Sequence, residues 1–279
     1  MPYEYVDINV SDVGVIPEST QIALIDADTI VYIACGSAEK KLGPSELFTD
    51  EESAEIVANG GVEWEGELVI SDLKEAIGYA KAKIEKILEL TGCELHFTAG
   101  RENFRYSLYS LYKAHRIGRS PIYLMEVKEE LCKIYKGKIH YAIEADDAVA
   151  YLKRRYPEKY LVCAVDKDIL KGLEGKHFNY YESAKYNISM KYVETDMESA
   201  RLFPYRQAMI GDKSDNIYGI PRVGEKRSKD LIPDGCENPM ELLIKYFKEA
   251  GLTEADAKLN YALTYMGDEK YCKELENEK

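Results

Sequence analysis

Short apolar runs at residues 22–25, 95–98, 139–143 and 160–165 alternate with helical patterns, and that alternation limits what the chain can become. Runs of this length bounded by turn signals read as buried strands. Between the first two, Leu73, Ile77, Ala80, Ile84 and Leu88 recur at three- and four-residue steps. They predict an amphipathic helix, with Ser71 as its N-cap and its end near Gly92. Strand–helix alternation favours a mostly parallel sheet with helices on both faces. In such sheets ligands bind beyond the carboxyl ends of the strands, so the residues that follow each run matter most.

Those residues are acidic. Asp26 and Asp28 follow the first run, Glu144, Asp146 and Asp147 the third, and Asp166 and Asp168 the fourth. Taken singly, each cluster is an ordinary helix start or turn, because acids suit helix N-termini. Taken together, three clusters meet at one sheet edge, where mutual repulsion is costly without a cation. Oxygen donors in such number suit Mg²⁺ or Mn²⁺, and two such ions can serve phosphodiester hydrolysis.

Segment 101–119 carries Arg101, Arg105, Lys113, Arg116 and Arg119 against Glu102 alone. On a helix Arg105, Tyr109, Tyr112 and Arg116 would share a face, with Lys113 at its border. Cations beside aromatic rings suit a nucleic-acid strand, although a solvated helix packed through its tyrosines fits the stretch equally well. Ser120-Pro121 closes it, and residues 122–135 read as the next helix. Further on, Gly211-Asp212-Lys213-Ser214-Asp215-Asn216 precedes a turn bounded by Gly219 and Gly224, with Arg222, Lys226, Arg227 and Lys229 around it. Glycines let backbone N–H groups approach phosphates, and a helix N-terminus adds its dipole.

The net charge of −13 argues against non-specific coating of nucleic acid, but not against an enzyme that concentrates acid in a metal site. Six scattered cysteines without a Cys-x-x-Cys spacing read as reduced thiols. No signal peptide and no run of the roughly 18 apolar residues of a membrane helix is visible, so a cytoplasmic place and no membrane partner are expected. The expected organisation is an N-terminal extension over 1–20, an α/β core over 21–194 and a helical module over 195–279. The core is interrupted by an acidic, irregular or hairpin-like insertion at 37–70, and residues 177–193 should form paired strands.

In these segments the chain resembles the 5′-nuclease superfamily: flap endonucleases, the 5′-nuclease domain of bacterial DNA polymerase I and, most of all, phage 5′–3′ exonucleases. The residues that carry the resemblance are Asp26, then Tyr112-Lys113-Ala114-His115-Arg116, then Glu144-Ala145-Asp146-Asp147 with Asp166-Lys167-Asp168, and lastly 211–226. The resemblance implies a PIN-like α/β fold with a helical arch at about 101–121 and a helix–three-turn–helix module, its helix–hairpin–helix at about 211–232. It implies two Mg²⁺ or Mn²⁺ ions held by Asp26, Glu144, Asp146, Asp166, Asp168, Asp212 and Asp215. Asp147 supports them, and Asp28 is a further candidate. Lys113 and Arg116 would hold the scissile phosphate, with Arg105 and Tyr112 beside the 5′ strand. Gly219, Gly224, Lys226 and Arg227 would grip the duplex, with K⁺ at the hairpin.

The implied activity is Mg²⁺-dependent 5′–3′ exonuclease or 5′ flap endonuclease action by a monomer, in the host cytoplasm if a phage encodes it. Its partners would be double-stranded DNA with a free 5′ end, nick or flap, and RNA–DNA hybrid. Two departures stand out: residues 97–100 carry no acid where relatives end their second strand in aspartate, and Arg222 replaces a hairpin glycine. Two other readings compete. Asp26-Ala27-Asp28-Thr29 also resembles the opening of a haloacid-dehalogenase-type phosphatase, with a nucleophile and a general acid. Alternatively, hairpin and arch alone would make a non-catalytic DNA-junction-binding protein.

Overall fold

The computed structural model describes residues 21–88, 92–100, 102–183 and 189–276. The expected extension at 1–20, Arg101 and the centre of the 177–193 pair lie outside the described residues.

The first apolar run forms β1 (Ile22–Asp26), followed by α1 (Asp28–Ala38). The insertion then builds β2 (Glu39–Pro44), α2 (Asp50–Ala58), β3 (Val62–Trp64) and β4 (Glu67–Ser71). It is an ordered three-stranded antiparallel sheet, β2-β4-β3, so of the two expected forms the hairpin is present in β3–β4 and the irregular one is not. The local cause is a capping box: Thr49 and Glu52 satisfy each other's backbone N–H groups and start α2. Next come α3 (Leu73–Leu88) and β5 (Cys93–Thr98). The cap of α3 is Asp72, which accepts from the N–H of Glu75 at 2.9 Å, and not Ser71, which still belongs to β4.

Segment 102–121 is helical only at α4 (Phe104–Leu108). Beyond it the chain turns, and Lys113 takes a left-handed backbone (φ 53°). The expected helical arch is therefore corrected to a short helix and a turn. After α5 (Leu124–Ile134) come β6 (Gly137–His140) and α6 (Ala145–Arg155), then β7 (Tyr160–Ala164) and α7 (Lys167–Gly172). The sheet closes with β8 (Gly175–Asn179) and β9 (Lys191–Thr195).

The central sheet runs β6-β5-β1-β7-β8-β9, parallel except for the β8–β9 pair. β1 is central and β7 is buried throughout, as sheets covered on both faces require. One core lies between the sheet and α1, α3 and α5, a second between the sheet and α6.

From α8 (Met197–Ile210) the chain builds a separate core around Leu202, Met209, Leu243 and Phe247. It passes through the two-residue strands β10 (Gly211–Asp212) and β11 (Ile217–Tyr218), then α9 (Glu225–Leu231), α10 (Pro239–Glu249), α11 (Glu254–Thr264) and α12 (Glu269–Cys272). The last stretch returns to the first layer, where Cys272 packs with Phe104, Ile143, Ala148 and Tyr151. Among the described residues no helix is long and apolar enough to cross a membrane.

Candidate metal and phosphate site

Asp26 ends β1, and Asp166 lies two residues past β7 at the N-cap of α7. The loop after β6 brings Glu144 to the N-cap of α6, with Asp146 and Asp147 in its first turn. All lie at the carboxyl edge of the parallel sheet. The second half of the chain adds Asp212 and Asp215 from a tight turn between β10 and β11. That turn is held by Asp212 Oδ1, which accepts from the Ser214 N–H at 2.7 Å, and by a left-handed Asn216. It can form because Gly211 and Gly219 let two backbones touch: a Cβ on Gly211 would lie 2.3 Å from the nitrogen of Gly219.

Asp146, Asp166, Asp168, Asp212 and Asp215 line one cleft of about 60 Å³, together with Lys113 and Arg116. Each buried water needs about 10–15 Å³ of such space, so the cleft holds more than one small solvated species. One oxygen each of Glu144, Asp146 and Asp147 lies within 4.8 Å of the others.

The electrostatics separate these acids. Burial, then Asp28 and Asp166, pushes the Asp26 carboxyl up to about 8. Burial and the neighbours Glu144 and Asp147 push Asp146 far above the carboxylate range, and burial with Asp166 does the same to Asp168. Asp166 keeps an exposed edge, yet desolvation by the cleft walls raises it too. Glu144 goes the other way. Burial would raise it, but the charges of Lys113 and Arg105 and the bonds from Lys113 and Tyr112 outweigh that and hold it low. Lys113 Nζ donates to Glu144 Oε1 at 2.5 Å and stands 3.9 Å from Asp215. Arg116 donates to Asp215 Oδ1 at 2.5 Å and to the Ser214 carbonyl at 3.0 Å. The basic turn is thus fastened to the 211–218 turn, which the Lys113 N–H reinforces by donating to the Asp215 carbonyl at 2.9 Å.

Arg105 and Tyr112 differ from their expected roles, and Asp147 is tied into the structure. Asp147 is fully buried. Its oxygens accept from both terminal nitrogens of Arg105, from the Gly267 N–H at 2.9 Å and from the Glu144 N–H at 3.3 Å. These bonds hold it as a buried support for the first turn of α6. Arg105 is 1% exposed, spends its remaining donors on Glu144 and the Leu263 and Tyr265 carbonyls, and cannot reach a strand. Tyr112 is 2% exposed; its hydroxyl sits between Glu144 Oε2 (2.8 Å) and Asp215 Oδ2 (3.0 Å) rather than beside a base. The shared helical face of Arg105, Tyr109, Tyr112 and Arg116 does not exist, because buried carboxylates hold two of its members inside.

Asp28 is also engaged. It sits at the end of β5, accepting from the Thr98 N–H at 3.0 Å and from Lys128 Nζ at 2.6 Å. It occupies the place where the second-strand acid was missing, but its charge is already answered. Sequence reasoning overlooked Lys128, which is 5% exposed. Its signal was available: Leu124, Val127, Lys128 and Leu131 share one helical face, so a lysine stood in an apolar stripe. Gly267, whose φ of +70° and close approach to Tyr151 exclude a side chain, was overlooked as well.

Arg222 adopts φ 64°, the backbone its turn would otherwise give to glycine. Gly224 caps α9, and Arg222, Lys226, Arg227 and Lys229 project into solvent.

No family model matches the chain. A 5′–3′ exonuclease of Buchnera aphidicola (from Acyrthosiphon pisum) is 31% identical over 147 residues, which is 49% of this chain and 50% of that protein. A flap endonuclease Xni of Shewanella halifaxensis is 24% identical over 174 residues, 58% of this chain and 68% of that protein. The chain thus spans about half the length of the first curated relatives it matches. Among solved structures, the phage T5 D15 protein co-crystallised with metal ions superposes with a TM-score of 0.59 at 16% identity, covering 93% of this chain and all of that one. The α/β fold with a mostly parallel sheet is therefore shared with that protein, and the resemblance read from the motifs is matched by relatives of those names.

Proposed function

We propose that the chain is a divalent-metal-dependent 5′ nuclease, hydrolysing DNA phosphodiesters near a free 5′ end, a nick or a flap. The observation that carries this reading is the convergence of Asp146, Asp166, Asp168, Asp212 and Asp215 on one cleft shared with Lys113 and Arg116. A nuclease fits the family of relatives, and a DNA complex of the phage T5 flap endonuclease with metal ions superposes at a TM-score of 0.53.

The donor set fits hard divalent ions. It is all oxygen, four of its carboxyls are pushed up by crowding and burial, and Asp168 Oδ1 is buried with no hydrogen-bond partner. Asp26, Glu144, Asp146, Asp166, Asp168, Asp212 and Asp215 would hold two Mg²⁺ or Mn²⁺ ions. When bound, such ions polarise a phosphoryl oxygen and make water a competent nucleophile near neutral pH.

The side chains of this chain do the rest. Lys113 and Arg116 border the cleft, and a phosphate entering it competes with Glu144 and Asp215 for their donors. Charge developing on the phosphoryl oxygens is answered by these two cations, Lys113 largely buried at the cleft and Arg116 half in solvent at its mouth. Arg105 and Asp147 set the first turn of α6, and Asp146, whose Oδ1 accepts from the Asp147 N–H at 2.7 Å, is held there at the edge of the cleft. The turn from Gly219 to Gly224, with Lys226 and Arg227, would hold the duplex backbone, with K⁺ as its ion. RNA–DNA hybrid as an additional substrate, a monomeric state and a cytoplasmic location complete the proposal. The phosphatase reading loses support, because Asp28 is tied to Lys128 and Thr98 and is not free to shuttle a proton.

The test is an Mg²⁺ assay on 5′-labelled blunt, nicked, flap and hybrid duplexes. Short 5′ products or excised flaps are expected. Turnover of para-nitrophenyl phosphate with no DNA cleavage would overturn the reading.

A further inference from the structure

The insertion between α1 and α3 contributes nothing to the cleft, and its own fold does not use up its apolar side chains. Leu68 and Val69 of β4 are buried, but α2 has no buried residue, and Phe48 and Ile56 are only half-buried. Leu42, Leu47 and Val57 are 42%, 74% and 49% exposed. Leu42, Phe48, Ile56 and Ile70 line an open groove of about 400 Å³. Ligand-bearing clefts run to roughly 300–1,000 Å³, and grouped apolar surface on a folded domain marks an interaction site.

The rim of the groove says what kind of occupant fits. α2 carries Asp50, Glu51, Glu52 and Glu55 and no basic residue, and Glu52 and Glu55 stand on the groove itself. Glu52 is spent on capping Thr49. Asp50, Glu51 and Glu55 form no ion pair among the described residues, so their charge is unanswered. An acidic rim repels phosphate, so this face does not extend a nucleic-acid surface. A second copy of the groove would bring acid against acid. Apolar anchors flanked by lysine or arginine satisfy both the groove and its rim.

We propose that this groove docks a basic, apolar segment of a second protein. Its anchors enter between Leu42, Phe48, Ile56 and Ile70, and its cations meet Glu51 and Glu55.

The test uses the full chain and a fluorescein-labelled amphipathic peptide of lysine and leucine, read by anisotropy. A peptide with serine in place of leucine is the control for charge alone. Saturable binding of the leucine peptide is expected, at least about tenfold tighter than the serine peptide. Glu51→Lys with Glu55→Lys should weaken it about tenfold or more, and Leu42→Gln should weaken it severalfold. All three positions are exposed, so the fold does not depend on them. Glu237→Lys with Glu241→Lys makes the same change of charge on the C-terminal module and should leave binding unaltered. Equal binding of the serine peptide, or equal weakening by the control pair, would reduce the effect to net charge and overturn the proposal. Sedimentation showing a dimer that Glu51→Lys with Glu55→Lys dissolves would overturn it in favour of a second copy.

Discussion

Arg105, Lys113 and Arg116 around the cleft all end on carboxylates, whereas Arg222, Lys226, Arg227 and Lys229 near the C-terminal turn stand in solvent and form no ion pair among the described residues. The two regions are basic in different senses. In the cleft the cations answer built-in negative charge, and still leave Asp26, Asp146 and Asp168 protonated well above their ordinary range. At the turn the cations answer nothing in the protein. The first arrangement suits chemistry on a phosphate that arrives with counter-charge. The second suits attraction of a polyanion, which salt weakens.

That contrast can be broken in several places. Asp166→Asn with Asp168→Asn should have the largest effect, lowering cleavage by about 10⁴-fold, or about 5.5 kcal/mol. The same variant should keep structure-specific DNA binding in Ca²⁺, and full cleavage by it would end the metal assignment. Arg105→Ala comes next. It strands Asp147 in a dry site and should cost about 3–5 kcal/mol in urea unfolding, while Arg105→Met with Asp147→Leu should recover much of the loss. If Arg105→Ala unfolds like the parent, the buried pair is not structural.

Lys113→Ala should slow single-turnover cleavage about 10²-fold, about 2.7 kcal/mol, with little change in binding. An unchanged rate would return Lys113 to the role of a carboxylate's partner. Lys226→Ala with Arg227→Ala should do the reverse. We expect affinity to fall about tenfold, the slope of log affinity against log salt to shrink by about 1.8, and the bound-state cleavage rate to hold. The smallest effect is on pH. Asp26 is raised from 3.8 to about 8 on folding, so its contribution is full below pH 3.8 and is lost as pH rises through 8. The melting temperature of metal-free protein should therefore fall by a few degrees between pH 5 and 8, and Mg²⁺ should flatten that slope. A flat profile without metal would mean that Asp26 is not crowded.

The strand-end acids were legible because strand and charge patterns are both local. Asp26, Asp146, Asp166 and Asp168 needed only the alternation of 22–25, 139–143 and 160–165 with helices. What was not legible is set by partners far along the chain. The spacing of Arg105, Tyr109, Tyr112 and Arg116 fits a helix, but Glu144, Asp147 and Asp215 draw Arg105 and Tyr112 inward, and the helix stops at Leu108. Tertiary contacts overrode a local period. Asp146 and Asp147 are neighbours with one chemistry, and only Arg105 and Gly267 decide which of them is structural. The fold of the insertion was partly legible: a hairpin was one of its two expected forms, while α2, which Thr49-x-x-Glu52 announces, went unread.

The bond from Gly267 to Asp147 spans 120 residues, and that from Arg105 to the Leu263 carbonyl spans 158. During synthesis the acids of α6 would leave the ribosome long before the strand of backbone that seats them. Contacts of such separation are paid for late, after loop closure. The cleft is therefore a late-assembled part of a sheet that can form early, and a ribosome-bound chain halted before residue 263 carries its carboxylates without the backbone that seats Arg105 and Asp147.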